Sequence, residues 1–354
     1  MCGDRADWGA LARAKPHARA VSVANSPAPW RLGTSHAWAR CTSQNKESHR
    51  GPCQLCPPGL ERNPRSRAKG APRSASQVVD AAASREAIDA ERQRLATPGA
   101  GVLSYYCDEC GDGRPVLLVH AIHAAASSYE MRNLFESLRA ERRVYALDLP
   151  GFGFSQRGGM PYSWPMYQAA LSQMLDHISN LWGEPVDIIA SSLSCEYAAA
   201  VAACAPERVA SLVLLSPTGF EHPTRSSDAP YLRPQPSRGW QTLVRAAGVL
   251  LYDMLTTRPS LALYLRRSFA GPVDPDLLEY AYATSHQLGA HCAPLAFVQG
   301  DLFPAADPQR IYASVTVPVL VLYDEDPYTS FDGLRVLGRK ARRASFWRND
   351  GEHN

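Results

Sequence analysis

Short apolar runs alternate with longer helical segments from about residue 100 onward, and this order constrains the fold more than any other feature of the sequence. Consecutive parallel strands need long crossover connections, whereas antiparallel strands can be joined by tight turns. The alternation therefore predicts an α/β fold with a mostly parallel central sheet and helices on both of its faces. The predicted strands cover residues 102–106, 115–120, 143–149, 186–190, 209–215 and 317–323, and the predicted helices between them cover 127–140, 165–182 and 194–205.

The alternation stops after residue 217 and resumes only near residue 317. The intervening chain is helical and aromatic-rich and contains no obvious core strand. We interpret it as a helical cap insertion over residues 219–310, between a first core segment at 100–218 and a second at 311–354. Aromatic residues at helical spacing usually belong to a core, but some of these can line an apolar lid that excludes water. The five candidates are Trp240, Tyr252, Tyr264, Tyr280 and Tyr282.

The first part of the chain differs sharply in charge from the rest. Residues 1–78 hold 13 Lys and Arg against 4 Asp and Glu, an excess of +9 in a chain whose net charge is +3. They show no sustained periodicity and contain few core-forming residues, so we expect residues 1–95 to be a disordered or leader-like basic extension. An organelle transit peptide and a start site assigned too far upstream both fit this composition. Residues 77–95, rich in Ala and charge, suggest a helix before the first strand.

The composition limits the binding partners and the cellular location that we expect for this protein. Near-neutral total charge gives no reason to expect a nucleic-acid partner, and no run approaches the ~18 apolar residues that span a bilayer. We therefore expect a soluble, cytoplasmic protein, with organelle import as the alternative. Two C-x-x-C pairs, Cys53 with Cys56 and Cys107 with Cys110, are too far apart for the usual four-thiolate zinc site. The sequence predicts neither a metal nor an organic cofactor, and it leaves the oligomeric state open.

The segment 186–196 is the strongest candidate for catalytic chemistry. It is an apolar strand that ends abruptly in small residues before a helix. A nucleophilic serine needs a sharp strand-to-helix turn, with small residues two before and two after it. Ala190 and Ser194 flank Ser192 at those positions. Ser192 is therefore the predicted nucleophile, and the alternative is a serine-rich helix cap.

Backbone N–H groups in two loops are candidates for holding an oxyanion. Leu193 follows the nucleophile at the positive end of a helix. The second loop follows the strand at 115–120 and contains His120 and then small residues, which leave the backbone accessible to a carbonyl oxygen. Ile122 is the candidate second donor. His120 alone is more typical of a hydrogen-bonded loop histidine than of a catalyst.

Several of these motifs together resemble the α/β-hydrolase superfamily from about residue 113 to the C-terminus. Asp148-Leu-Pro-Gly-Phe-Gly-Phe-Ser155 resembles the family's D-x-P-G-x-G-x-S loop, and 190–194 resembles its G-x-S-x-G elbow. His120-Ala121 is similar to the His-Gly before the oxyanion residue. The resemblance implies the α/β-hydrolase fold and a Ser-His-Asp triad. Ala121, Ala190 and Ser194 replace family glycines, which is costly wherever the backbone needs a positive φ.

The resemblance also implies an acid and a base near the C-terminus. Asp326 follows the strand at 317–323 and precedes Pro327, as the family's catalytic acid commonly does, and Asp324 is the alternative. His353 lies 27 residues beyond Asp326 in Gly351-Glu-His353, which resembles the family's G-x-H. The sequence stops at Asn354, so we expect either a truncated sequence or a poorly held histidine.

The sequence thus predicts a serine hydrolase that acts on a small, partly apolar ester or related acyl bond through an acyl-enzyme. Ser192 attacks, His353 transfers the proton, Asp326 orients the histidine, and the N–H groups of Leu193 and Ile122 hold the oxyanion. The alternative is a ligand-binding protein of the same fold with little or no turnover.

Overall fold

A computed structural model describes residues 86–220, 236–268, 272–304, 307–324, 326, 329–334 and 344–348. Most of the expected basic extension, the pair Cys53 and Cys56, and the predicted base His353 lie outside the described residues.

The core is a single sheet in which the described residues form eight strands in the order β1-β2-β4-β3-β5-β6-β7-β8. Strands β1, β2 and β4 pair antiparallel, and every pairing from β4 through β3 to β8 is parallel. The predicted mostly parallel sheet is confirmed. The strands are β1 (Glu91–Thr97), β2 (Gly101–Asp108), β3 (Gly113–Val119), β4 (Arg142–Asp148), β5 (Val186–Ser191), β6 (Val209–Leu215), β7 (Val319–Tyr323) and β8 (Ala344–Arg348).

Both faces of the sheet are covered, as the continuous apolar runs required. Leu117 and Val119 of β3 lie in one buried cluster, and Val116 and Leu118 of the same strand lie in another. Alternate residues of a strand point to opposite faces, so the two clusters occupy the two sides of the sheet. The described helices are α1 (Arg132–Leu138, after a 3₁₀ turn at Ser128–Met131), α2 (Trp164–Trp182), α3 (Ser194–Cys204), α4 (Arg238–Leu255), α5 (Arg258–Ser268), α6 (Pro275–Ser285), α7 (Cys292–Val298) and α8 (Pro308–Ser314).

The predicted helix over 77–95 is wrong at its C-terminal end. The predicted end of the basic extension at residue 95 also lies too far towards the C-terminus. Glu91–Thr97 is an edge strand that pairs with β2 along its whole length, and Ala87 and Ile88 before it are buried. Its sequence favours a helix by local propensity, but tertiary pairing overrides that preference. Charged side chains are also common on edge strands, where they discourage pairing with other chains.

The chain between β6 and β7 carries helices α4 to α8, in the region where the sequence predicts a cap at 219–310. Helix α4 contacts the rest of the protein mainly through Val244, Gly248 and Tyr252, while Leu250 and Met254 are well exposed. Helix α8 lies across the predicted boundary at residue 310, and its Tyr312 donates a hydrogen bond to the carbonyl oxygen of Thr218. No helix in the described ranges is both long and apolar enough to cross a membrane.

Candidate active site

Ser192 occupies a strained turn between β5 and α3. Its φ is 55°, a left-handed conformation that is rare for residues other than glycine. The Ser192 N–H donates to the carbonyl oxygen of Leu215 on the neighbouring strand β6 (2.9 Å), and its own carbonyl oxygen accepts from the Cys195 N–H (3.1 Å). The turn is thus fixed from both sides, as the predicted elbow requires, and Ser192 is only half-buried.

The register of the sheet brings the elbow beside the loop after β3. Val119, the last residue of β3, is paired with Ala190 near the end of β5. The chain segments that follow these two residues therefore leave the same edge of the sheet side by side. A hydrogen bond from the Ser194 hydroxyl to the His120 carbonyl oxygen (2.6 Å) joins them directly. Ser194, a departure from the family's glycine, thus connects the two loops.

The two predicted oxyanion donors are buried at this junction. Leu193 is 1% exposed and Ile122 is 5% exposed. Within the part of the chain that the structure describes, neither backbone N–H donates a hydrogen bond, whereas the N–H of Ala121 is bonded to the Glu130 carboxylate (3.2 Å). An N–H without an acceptor in a largely buried residue is uncommon and suits a group that binds a substrate oxygen.

His120 is a structural residue. Its Nε2 accepts a hydrogen bond from the Leu149 N–H (3.0 Å), and its Nδ1 lies 2.6 Å from the carbonyl oxygen of Ala121. This pattern fits a neutral ring with the proton on Nδ1. Burial lowers the pKa of His120, although the nearby charges of Glu130 and Asp148 oppose the shift. Both ring nitrogens are occupied, so His120 is not available as a base.

A His–Glu pair that we did not predict from the sequence supports the loop at residues 120–126, which is the predicted oxyanion loop. His123 Nε2 and Glu130 Oε1 are 2.5 Å apart, and both side chains are largely buried. Burial raises the pKa of Glu130, but the charge of His123 and the hydrogen bonds from His123 and the Ala121 N–H outweigh it, so the net pKa is lowered. Glu130 is thus a carboxylate that holds two positions of the loop around Ile122.

The loop at 148–155 is organised around the buried carboxylate of Asp148. The buried Asp148 carboxylate accepts hydrogen bonds from the N–H groups of Ser128 and Phe154, both at 2.9 Å. A Cβ on Gly153 would lie 2.0 Å from the carboxyl carbon of Asp148, and the φ of Gly153 is +48°. Glycine is therefore required at this position because of both space and backbone conformation.

The two candidate acids lie at the same edge of the sheet. Leu215 of β6 is paired with Leu322 of β7, so Asp324 and Asp326 follow β7 at a level close to Ser192. The intervening strand β6 puts β7 about 10 Å from β5. Both carboxylic residues are half-buried, and either remains the predicted acid. The position of His353 relative to Ser192 stays a prediction.

Cys195 is buried in α3 and is a poor nucleophile. Its thiol donates to the carbonyl oxygen of Ala190 (3.1 Å), and burial raises the pKa of that thiol well above its ordinary value. No three His, Cys, Asp or Glu side chains in the described ranges are grouped as a metal site would require.

Residues 114–354 match the sequence model of a family described as the alpha/beta hydrolase fold, and the chain belongs to this family. It is 32% identical over 134 residues to a 2-hydroxy-6-oxo-2,4-heptadienoate hydrolase of Pseudomonas putida, a match that covers 37% of this chain and 47% of that protein. It is 29% identical over 120 residues to a pimeloyl-[acyl-carrier protein] methyl ester esterase of Nitrosospira multiformis, covering 33% and 44%. The matches span less than half the length of these curated relatives.

Solved structures agree on the fold. Naproxen esterase of Bacillus subtilis superposes with a TM-score of 0.54 at 19% identity, over 78% of this chain and 90% of that one. The N-formylmaleamic acid deformylase of Pseudomonas putida superposes with a TM-score of 0.51 at 18% identity, over 73% and 92%. The curated relatives are named as a hydrolase and an esterase. The two solved structures, at 18% and 19% identity, support the architecture alone.

Proposed function

We propose that this protein is a serine hydrolase that cleaves a small ester or related acyl bond through an acyl-enzyme. The observation that carries the proposal is the backbone of Ser192, whose φ of 55° places a half-buried serine at a strained strand-to-helix turn. Such strain persists only where surrounding structure enforces it, and it is concentrated at functional sites. The curated esterase and hydrolase relatives support the same reaction class.

In the proposed reaction, the Ser192 oxygen attacks the carbonyl carbon while His353 takes the hydroxyl proton. The carbonyl oxygen becomes an oxyanion, which the N–H groups of Leu193 and Ile122 stabilise. Collapse of this intermediate breaks the bond to the leaving group, which receives the proton from His353. Water then attacks the acyl-enzyme by the same sequence, releasing the acid and restoring Ser192. Asp326, or alternatively Asp324, orients and stabilises the charged histidine.

The experiment is hydrolysis of p-nitrophenyl acetate and butyrate by the full chain and by three variants. We expect Ser192→Ala and His353→Ala each to lower kcat by about a thousandfold or more, because triad members act as a unit. The matched control is Ser191→Ala, the adjacent serine at the end of β5, which we expect to retain activity. Hydrolysis that survives Ser192→Ala contradicts the proposal, and a folded wild type that binds these esters without turnover favours a binding protein.

A further inference from the structure

The Arg157 guanidinium carries a buried charge that the catalytic proposal does not use. Arg157 follows the Asp148–Ser155 loop at the carboxyl edge of the sheet, and its Nε is fully buried although part of the residue reaches solvent. Its other nitrogens donate to the Gln287 side-chain oxygen (2.5 Å) and to the Thr284 carbonyl oxygen (3.4 Å). Both acceptors are neutral. Burial lowers the pKa of Arg157, but a guanidinium remains protonated in a protein.

No carboxylate in the described part of the chain forms an ion pair with Arg157. Asp148 is the acid that acts on it through space, and its two carboxylate oxygens accept instead from the N–H groups of Ser128 and Phe154. A buried cation without a hydrogen-bonded counter-ion is costly, and most proteins avoid the arrangement unless the charge has a task.

Two neighbouring side chains also have buried nitrogens without partners. The Nε of Arg157 and the Nε2 atoms of Gln287 and His291 have no hydrogen-bond acceptor among the described protein groups. Gln287 is bonded to Arg157, and His291 lies four residues later, with its ring 6.2 Å from that of Tyr252. Arg157 and the hydrogen-bonded Gln287 thus bring two unsatisfied N–H donors and a positive charge without a hydrogen-bonded carboxylate together, which favours an anion.

One member of this cluster, Arg157, borders a small cavity between loops at the carboxyl edge of the sheet and helix α4. Arg157 and Tyr252 line it, together with Ala124–Ala126 of the oxyanion loop and Gly151 of the loop after β4. Its volume of ≈ 10 Å³ is about what one water molecule needs. The Tyr252 hydroxyl of helix α4 lies within hydrogen-bond distance of the carbonyl oxygens of Ala124 (3.0 Å) and Ser285 (3.1 Å), so enlarging the cavity for a ligand requires these contacts to break. The outer face of the helix is mostly exposed, which leaves room for outward displacement.

We propose that Arg157 anchors a carboxylate on the substrate, so that the enzyme acts on esters of which one part is an acid. This inference rests on the proposed hydrolase function, because it assigns the substrate class of the same site. The guanidinium presents a planar fork of donors that matches a carboxylate. The lining residues Ala124–Ala126 begin two positions after Ile122, so the proposed carboxylate site and the predicted oxyanion donor belong to the same loop.

Two pairs of esters test the proposal. p-Nitrophenyl hydrogen glutarate and p-nitrophenyl butyrate differ in an acyl-side carboxylate, and p-acetoxybenzoate and its methyl ester differ in a carboxylate on the leaving group. The readout is the ratio of kcat/KM for the anionic ester to that for the neutral ester. We expect wild type to favour the anion in one of the pairs, and Arg157→Gln to lower that ratio about tenfold or more.

Arg157→Lys keeps the charge but loses the fork, so we expect an intermediate ratio. Arg142→Gln is the matched control, because Arg142 pairs with Asp187 at the opposite end of the strands, and we expect it to leave the ratio unchanged. An unchanged ratio in folded Arg157→Gln overturns the carboxylate site, as does a wild type that disfavours the anion in both pairs.

A binding measurement separates failure of this site from failure of the hydrolase proposal. If no ester is hydrolysed, the proposed function fails. The thermal stabilisation of the protein by glutarate then decides whether the carboxylate site exists. Thermal stabilisation by millimolar glutarate that is present in wild type and lost in Arg157→Gln supports the site. Equal stabilisation of both proteins, or none of either, overturns it.

Discussion

The Ser194 hydroxyl and the His120 carbonyl oxygen form a hydrogen bond of 2.6 Å that joins the turn around Ser192 to the oxyanion loop. Both residues are fully buried. The bond spans 74 positions of sequence and links the ends of two neighbouring strands, β3 and β5. It gives a structural reason for a serine at a position where the family commonly has glycine.

Ser194→Ala removes this bond and leaves a buried carbonyl oxygen without its partner. We expect the free energy of unfolding to fall by about 1–3 kcal/mol, measured by urea denaturation, with a parallel loss of kcat. Ser137→Ala is the control, because the exposed Ser137 hydroxyl bonds only to the carbonyl of its own helix. Equal stability of the two variants contradicts the assigned role.

Gly153→Ala and Gly158→Ala form a second matched pair, because both glycines have positive φ but only one is crowded. A Cβ at Gly153 collides with the Asp148 carboxylate, whereas one at Gly158 meets nothing within 4 Å. Gly158→Ala should cost only the backbone strain, about 1–2 kcal/mol. We expect Gly153→Ala to be several-fold more destabilising in thermal or chemical denaturation. Similar losses for both variants contradict the packing assigned to the Asp148 loop.

Neutral, buried His120 predicts a pH dependence of stability. Its pKa is lowered in the folded state, whereas an unfolded histidine has a pKa of about 6.5. Below that pH the unfolded chain takes up a proton that the folded chain excludes, so this contribution to stability is complete above about pH 6.5 and declines as the pH falls towards the folded pKa. Urea denaturation between pH 8 and pH 5 measures it.

The control for that experiment is His120→Gln, whose amide oxygen can still accept from the Leu149 N–H but does not titrate. We expect the stability advantage of wild type over this variant to shrink on acidification below about pH 6.5. Parallel curves for the two proteins across this range contradict a neutral His120.

Glu130→Ala tests whether the His123–Glu130 pair positions the oxyanion loop. The variant leaves both the Ala121 N–H and His123 Nε2 without their carboxylate partner. We expect kcat for p-nitrophenyl butyrate to fall about tenfold or more with a smaller change in KM, because a displaced Ile122 N–H weakens transition-state binding. Glu130→Gln, which retains one acceptor oxygen, should recover part of kcat. A change in stability without any change in kcat indicates a purely structural pair.

Much of the fold could be predicted from sequence periodicity, because the core strands of a parallel sheet with helices on both faces are continuous apolar runs. The predicted boundaries of these strands differ little from those in the structure. Val209–Leu215 was predicted to the residue. Strand β1 was missed because its polar sequence carries no alternation, and its conformation depends on pairing with β2. Local propensity contains no information on such partners.

The candidate site could be predicted only in part, because contacts between distant segments leave no local pattern in the sequence. The turn at Ser192 could be predicted, because it requires small residues that are its immediate neighbours in the sequence. The Arg157 cluster depends on Gln287 and Thr284, some 130 positions away, and the His123–Glu130 pair has no distinctive spacing. Of the five aromatic lid candidates, Tyr252 lines the small cavity, whereas Tyr280 packs against Tyr129 and Phe154.

The most direct test of the central claim is the covalent labelling of Ser192 by a fluorophosphonate, followed by mass determination of the intact protein and of its peptides. We expect one adduct per chain, on Ser192, absent in Ser192→Ala and present in Ser191→Ala. An adduct on another residue, or none on folded wild-type protein under conditions that label a known serine esterase, contradicts the assignment of Ser192 as an activated nucleophile.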